Sequence, residues 1–245
     1  MRRSPIHHTV KGHKRGGKQI SSFTRGKGKK SQRSKRVVGR SRPIFRKHDN
    51  HAGQLYDLIN MGVKKVTLVN IDAHDDLIDY SDQDIERREW SDISKDPDSA
   101  GIWLTLAIDR GLVGEVFWVV PDPVFKDFAG DGLSSDFTNV RFRKGRYYAK
   151  YKDVNFTITT LDNLPTITKP VVLSIDSDYL GEADQYWSDN MDEGGWINPV
   201  ILAKKIKKKV PSPRSVSVFR SSAYLSRHIY EEADILEDKI REEYE

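Results

Sequence analysis

Val66-Thr-Leu-Val-Asn-Ile-Asp-Ala-His-Asp-Asp76 is the run whose reading decides the fold. Val66, Thr67, Leu68, Val69 and Ile71 make a short apolar, β-branched segment of the kind that forms a buried strand. Three side chains able to hold a cation follow at once: Asp72, His74 and Asp76. Side chains alternate along an extended chain, so positions i, i+2 and i+4 leave one face and converge at the strand's end. Buried carboxylates are unfavourable unless paired or bound to a cation. The plain alternative is a set of solvated acids at a capped strand end.

Val171-Val-Leu-Ser-Ile-Asp-Ser-Asp178 repeats the pattern, an apolar strand closed by Asp176 and Asp178. Two parallel strands that carry acids at their carboxyl ends open onto a single crevice. Upstream, Asp49-Asn50-His51 stands just before a helical pattern. His51 is read as a further ligand. Asp49 and His48 are adjacent alternatives, and a helix N-cap is the structural one. With no cysteine in the chain, the donors are carboxylates and a little imidazole. That set suits manganese or another octahedral divalent ion better than a closed structural zinc. Two ions sharing bridging carboxylates answer so much negative charge, which gives an expectation of two Mn2+ per chain.

Outward from these runs, elements alternate. Leu55, Leu58 and Ile59 fall at helical spacing and Gly62 stops that helix. An acidic loop extends from Asp76 to about Pro97. Ile102 to Leu112 reads as a helix closed by Gly111 and Gly114, and Val116–Val120 as a buried strand ended by Pro121 and Pro123. A β-rich patch covers Val140–Phe142, Tyr147–Tyr151 and Phe156–Thr160. Asn198-Pro199 starts a helix, cap then first-turn proline, that runs into Lys204–Lys209. Val216–Phe219 is a last strand, and Ile229, Ala233, Leu236 and Ile240 mark a final amphipathic helix. Strands alternating with helices predict an α/β domain with a mainly parallel sheet and helices on both faces.

The net charge of +5 averages two unlike parts. Residues 1–48 contain 17 Lys and Arg and no acid, so residues 49–245 balance at −12. Residues 1–42 have almost nothing to bury and predict a disordered basic tail; residues 43–245 form the domain. Such a tail suits nucleic acid or another acidic partner held through phosphate contacts, with a solvated extension as the alternative. No apolar run approaches the ~18 residues of a membrane helix, and the N-terminus has no apolar signal region. The chain is read as soluble and cytoplasmic, with no membrane partner.

Asp72-Ala-His-Asp-Asp76 resembles the Asp-Ala-His-x-Asp motif of the ureohydrolases (arginase, agmatinase), and Ser174-Ile-Asp-Ser-Asp178 is similar to their later Ser-x-Asp-x-Asp motif. Asp49-Asn-His51 with Leu55, Phe117-Trp-Val-Val-Pro121 and Arg220-Ser221 look more like a small arginase-like family that includes peptide arginases. The likeness spans about residues 43 to 225. It implies a three-layer arginase-like fold and two manganese ions. Asp72 and Asp176 would bridge them, His51 and Asp76 would complete one site, and His74 and Asp178 the other. Asp72, Asp76 and Asp176 would be catalytic, with Asp76 relaying a proton to the leaving amine. The implied reaction releases urea from an arginine side chain, most naturally in a peptide.

One departure is visible. Larger arginases place a glutamate after their last core strand, where this chain has Arg220-Ser221-Ser222. Asp79, Asp82, Glu182, Asp184, Asp192 and Glu193 are candidates to replace it or plain surface charge, and Tyr186, Trp187 and Trp196 could wall a pocket. Two other readings compete: a single-zinc amide deacetylase of the same superfamily with Tyr224, and a non-catalytic arginase-like scaffold with a nucleic-acid-binding tail.

Overall fold

Both acid-bearing apolar runs are strands, and they lie side by side. The computed structural model describes residues 43–48, 53, 58–78, 101–131, 133, 136–181, 196–220, 225 and 227–245. The chain divides between Ser41 and Arg42 into two units, and every described residue belongs to the second. The basic tail, residues 1–42, lies outside the described residues.

In chain order the elements are β1 (Ile44–His48), β2 (Val66–Ile71), α1 (Trp103–Asp109), β3 (Val113–Val119), α2 (Asp122–Asp131), β4 (Thr138–Arg143), β5 (Arg146–Tyr151), β6 (Val154–Thr159), β7 (Val172–Asp176), a 3-10 turn (Ser177–Leu180), α3 (Pro199–Lys209), β8 (Ser215–Phe219) and α4 (Arg227–Tyr244). The described strands form one sheet in the order β1-β8-β7-β2-β3-β6-β5-β4. Neighbours from β1 to β6 in that order are parallel. The β-rich patch is an antiparallel extension, β6-β5-β4. Its outermost strand, β4, is exposed along its whole length, with Val140 and Phe142 alternating with Arg141 and Arg143.

Alternation along the central strands feeds two cores. Leu68, Val116, Trp118 and Val172 join α1 and the partly buried Val124, Phe125 and Phe128 of α2 on one face. Val69, Ile71, Val119, Leu173, Ile175, Val216 and Val218 meet α3 and α4 on the other. Apolar residues at period two on a doubly covered sheet give the three-layer α/β/α arrangement. Asn198 caps α3 as its sequence suggests, accepting from the N–H groups of Val200 and Ile201.

Several expectations need correction. Gly114 does not close a helix but lies within β3, because the backbone of Lys65 packs there and a Cβ would meet Lys65 Cβ at 3.0 Å. The helix ends earlier, with Arg110 after Asp109 and a turn at Gly111, whose φ is +67°. Pro121 and Pro123 do more than end a strand. Pro123 occupies the first turn of α2, where a missing N–H is tolerated. β1, rich in cations, lies where the sequence reading placed no element. It is a strand because β8 offers it a complete parallel register, Ile44 opposite Ser215 to His48 opposite Phe219.

Leu173, fully buried in the acid-bearing β7, tests the packing beneath the crevice. Leu173→Ala is expected to lose about 2–5 kcal/mol. Urea denaturation should show it as a lower midpoint with an unchanged slope.

Candidate metal centre

β2 and β7 run parallel with Ile71 opposite Ile175, so Asp72 and Asp176 emerge from neighbouring carboxyl ends. Asp72, Asp176 and Asp178 are almost completely buried and Asp76 nearly so. Backbone and side-chain contacts stitch the two segments together. The Ala73 N–H donates to Asp178 Oδ1 at 3.3 Å, and His74 Nδ1 lies 2.8 Å from Asp178 Oδ2. Ligand atoms of Asp72, His74 and Asp178 all fall within 4.8 Å of one another.

The convergence does not come from strand alternation, as the sequence pattern suggested. β2 stops at Ile71, and residues 72–76 are irregular. The His74 N–H folds back onto Asp72 Oδ1 at 2.8 Å, the side-chain turn that aspartates form with the backbone two residues on. Asp76 then takes a left-handed φ of +55°. On the other strand Asp176 is the last residue of β7 and caps the 3-10 turn. Its Oδ1 accepts from the Asp178 N–H at 3.1 Å, which turns Asp178 back toward the centre. Asp75 is not directed there: its Oδ1 accepts from the Leu77 N–H.

Electrostatics follow from this crowding. Burial, then repulsion from Asp76, Asp178 and Asp176, hold the Asp72 carboxyl well above the usual carboxylate range, and the His74 N–H offsets only part of that. A buried acid in such surroundings is costly to ionise, and a bound cation offsets that cost. The donor set fits a hard divalent ion. Two ligands at about 2.1 Å on adjacent octahedral positions sit roughly 3 Å apart, close to the 2.8 Å between His74 Nδ1 and Asp178 Oδ2. The His74 side chain is 43% exposed, so the centre opens to solvent on that side.

Supporting groups unannounced by any motif surround the acids. Trp103 of α1, fully buried, donates from Nε1 to Asp76 Oδ2 at 2.5 Å. Trp118 Nε1 donates to the Asp72 carbonyl, and Asn70 Nδ2 to Asp72 Oδ2 at 3.1 Å. Asn70, Ser174 and Ser217 face one another across β2, β7 and β8. Among the described residues Asn70 Oδ1, Ser174 Oγ and Ser217 Oγ are buried without a protein partner, a row that ordered water would satisfy. Asn70 carried one signal, a polar residue inside an apolar strand. Trp103 carried none.

Of the proposed ligands, the structure gathers Asp72, His74, Asp76, Asp176 and Asp178. His51 and Asp49 lie outside the described residues, as do Asp79, Asp82, Glu182, Asp184, Tyr186, Trp187, Asp192, Glu193, Ser221, Ser222 and Tyr224. Only the backbone of His48 is described, in β1. Arg220, at the position where the late glutamate would stand, pairs with Asp234 of α4 and lies 6.0 Å from the Tyr230 ring centre.

No family model matches the sequence, and no curated protein matches it. Solved structures do. The proclavaminate amidino hydrolase of Streptomyces clavuligerus is 14% identical with a TM-score of 0.45, over 82% of this chain and 63% of its own. A triple mutant of a T. brucei arginase-like protein bound with Mn2+ is 14% identical with a TM-score of 0.42, over 83% and 61%. A hypothetical agmatinase from Burkholderia thailandensis is 13% identical with a TM-score of 0.39, over 82% and 60%. This chain spans about three fifths of the length of those it matches.

Three outcomes follow from the geometry. If the acids hold a hard divalent ion, Mn2+ should raise the melting temperature of the metal-free protein, because a ligand of the folded state alone stabilises it. Asp72→Asn should abolish that rise while leaving the metal-free protein at least as stable as the wild type, because it removes one buried charge from a repulsive set. Trp103→Phe keeps the ring packing but loses the N–H to Asp76. Metal affinity by titration calorimetry should fall about 10- to 100-fold, as for other groups that orient ligands.

Proposed function

We propose that this chain is a metal-dependent hydrolase of a guanidino group, converting arginine in a peptide or protein to ornithine with release of urea. The convergence of Asp72, His74 and Asp178, with Asp76 and Asp176 close enough to perturb Asp72, carries the reading. By the motif resemblance Asp72, Asp176, His74, Asp178, His51 and Asp76 would together hold two manganese ions. Bound there, the pair supplies Lewis-acid activation of water near neutral pH.

The chain's own groups do the rest. Asp72 is held by Asn70 and by the His74 N–H, which fixes the face its oxygens present. Asp76, oriented by Trp103, takes the proton released as water adds to the guanidinium carbon and passes it to the departing amine. The C–N bond breaks, giving urea and the amine of ornithine. Arg220 is already committed to Asp234, so recognition of the guanidinium falls to other acids. The anionic body, −12 over residues 49–245, concentrates cationic peptides near the crevice.

The test is urea release by the manganese-loaded protein from an arginyl peptide and from free arginine, with metal counted in the same sample. About two Mn2+ per chain and faster turnover of the peptide support the proposal. Asp178→Asn should reduce turnover to background. One zinc and amide cleavage without urea would favour a deacetylase, and no turnover with metal bound would sink the enzymatic reading.

A further inference from the structure

The opposite end of the same sheet carries the reverse charge. Lys65 immediately precedes β2, Lys169 lies just before β7, and Arg214 immediately precedes β8, and these three strands are neighbours in the order β8-β7-β2. The Arg214 N–H donates to the Val171 carbonyl, so the entry to β8 is tied directly to that of β7. Together with Lys64, these residues rim a cleft of about 350 Å³ whose walls include Val63, Pro170 and Val171. Four cations line it and no acid does.

This clustering is not explained by ion pairing. Lys169 reaches Glu115, which also accepts from the Thr67 hydroxyl. Among the described residues no acid pairs with Lys64, Lys65 or Arg214. Three cations on one rim without a paired acid repel one another, and a polyanion would relieve that repulsion. Lys65 is also held in a left-handed conformation, φ +53°, with Gly114 packed against it. A non-glycine residue is disfavoured there, and the conformation fixes where its chain leaves the sheet.

We propose that this cleft binds a small phosphate-bearing metabolite, its phosphate on Lys64, Lys65 and Arg214 and its body against Val63, Pro170 and Val171. The volume suits a small ligand, and arginine and lysine supply the donors phosphate requires. Thr67 lies five residues before Asp72, roughly 17 Å along a strand, so the cleft is separate from the acidic centre and does not depend on its chemistry.

The experiment uses the full chain and pyrophosphate as probe, by titration calorimetry in metal-free buffer. Saturable binding with a dissociation constant below about 1 mM is expected. The exposed pair Lys64→Gln with Arg214→Gln should weaken it at least tenfold, and Lys126→Gln on α2 should not change it. The basic tail is intact in every variant, so affinity that survives the double substitution belongs to the tail and overturns the proposal. Absence of saturable binding, or cleft-dependent binding of duplex RNA without binding of pyrophosphate, would overturn it too. Unchanged melting of the double variant shows that lost affinity is not lost folding.

Discussion

Four buried carboxylates at the ends of β2 and β7, with Asp76, Asp176 and Asp178 all bearing on Asp72, set the terms for the rest of the molecule. Their repulsion, added to the cost of burial, is a destabilising feature that the fold must contain. It is contained by what lies beneath: two parallel strands apolar on both faces, clamped between α1 and α2 on one side and α3 and α4 on the other. Donors are placed where the charge is greatest. Asn70, Trp103, and the N–H groups of His74, Ala73 and Asp178 each reach one of the acids. These neutral donors distribute negative charge without neutralising it, which leaves the centre suited to a divalent cation.

The fold and the acidic centre were legible in the sequence to different depths. Strands covered on both faces leave short, mostly apolar runs, so β2, β3 and β7 stood out, and Asn198-Pro199 marked the start of α3. β1 left no comparable trace, because an edge strand dressed in cations differs little from a basic tail until β8 is there to pair with it. α2 was hidden by Pro121 and Pro123, which signal an ending more strongly than a beginning. At the centre, the identities of the clustered acids were visible as spacing, but the reason they cluster was not. Alternation would have aimed Asp72, His74 and Asp76 along one strand face. The chain instead turns on side-chain-to-backbone hydrogen bonds at Asp72 and Asp176, and on a left-handed Asp76. Trp103 is 27 residues away from the carboxylate it orients, and no periodicity links the two.

The sheet also organises charge along its length. Parallel strands send all their carboxyl ends one way and their amino ends the other. The carboxyl ends of β2 and β7 carry acids, and the amino ends of β2, β7 and β8 carry cations, at opposite edges of one layer. Neither rim requires the other for folding, since the hydrophobic faces between them are continuous. The same scaffold can thus present two surfaces of opposite sign without letting them neutralise each other, something a purely antiparallel arrangement, with ends interleaved, would do less readily.

β4 closes the sheet with an open row of backbone donors and acceptors, and its large apolar side chains face water. Such a border invites stacking of one molecule against the next. Arg141 and Arg143, placed between Val140 and Phe142, supply like charges that would confront each other in any self-paired ribbon, a common safeguard at sheet margins. Colloidal behaviour at high ionic strength, where that repulsion is screened, is therefore governed by a strand remote from the crevice and silent in its chemistry.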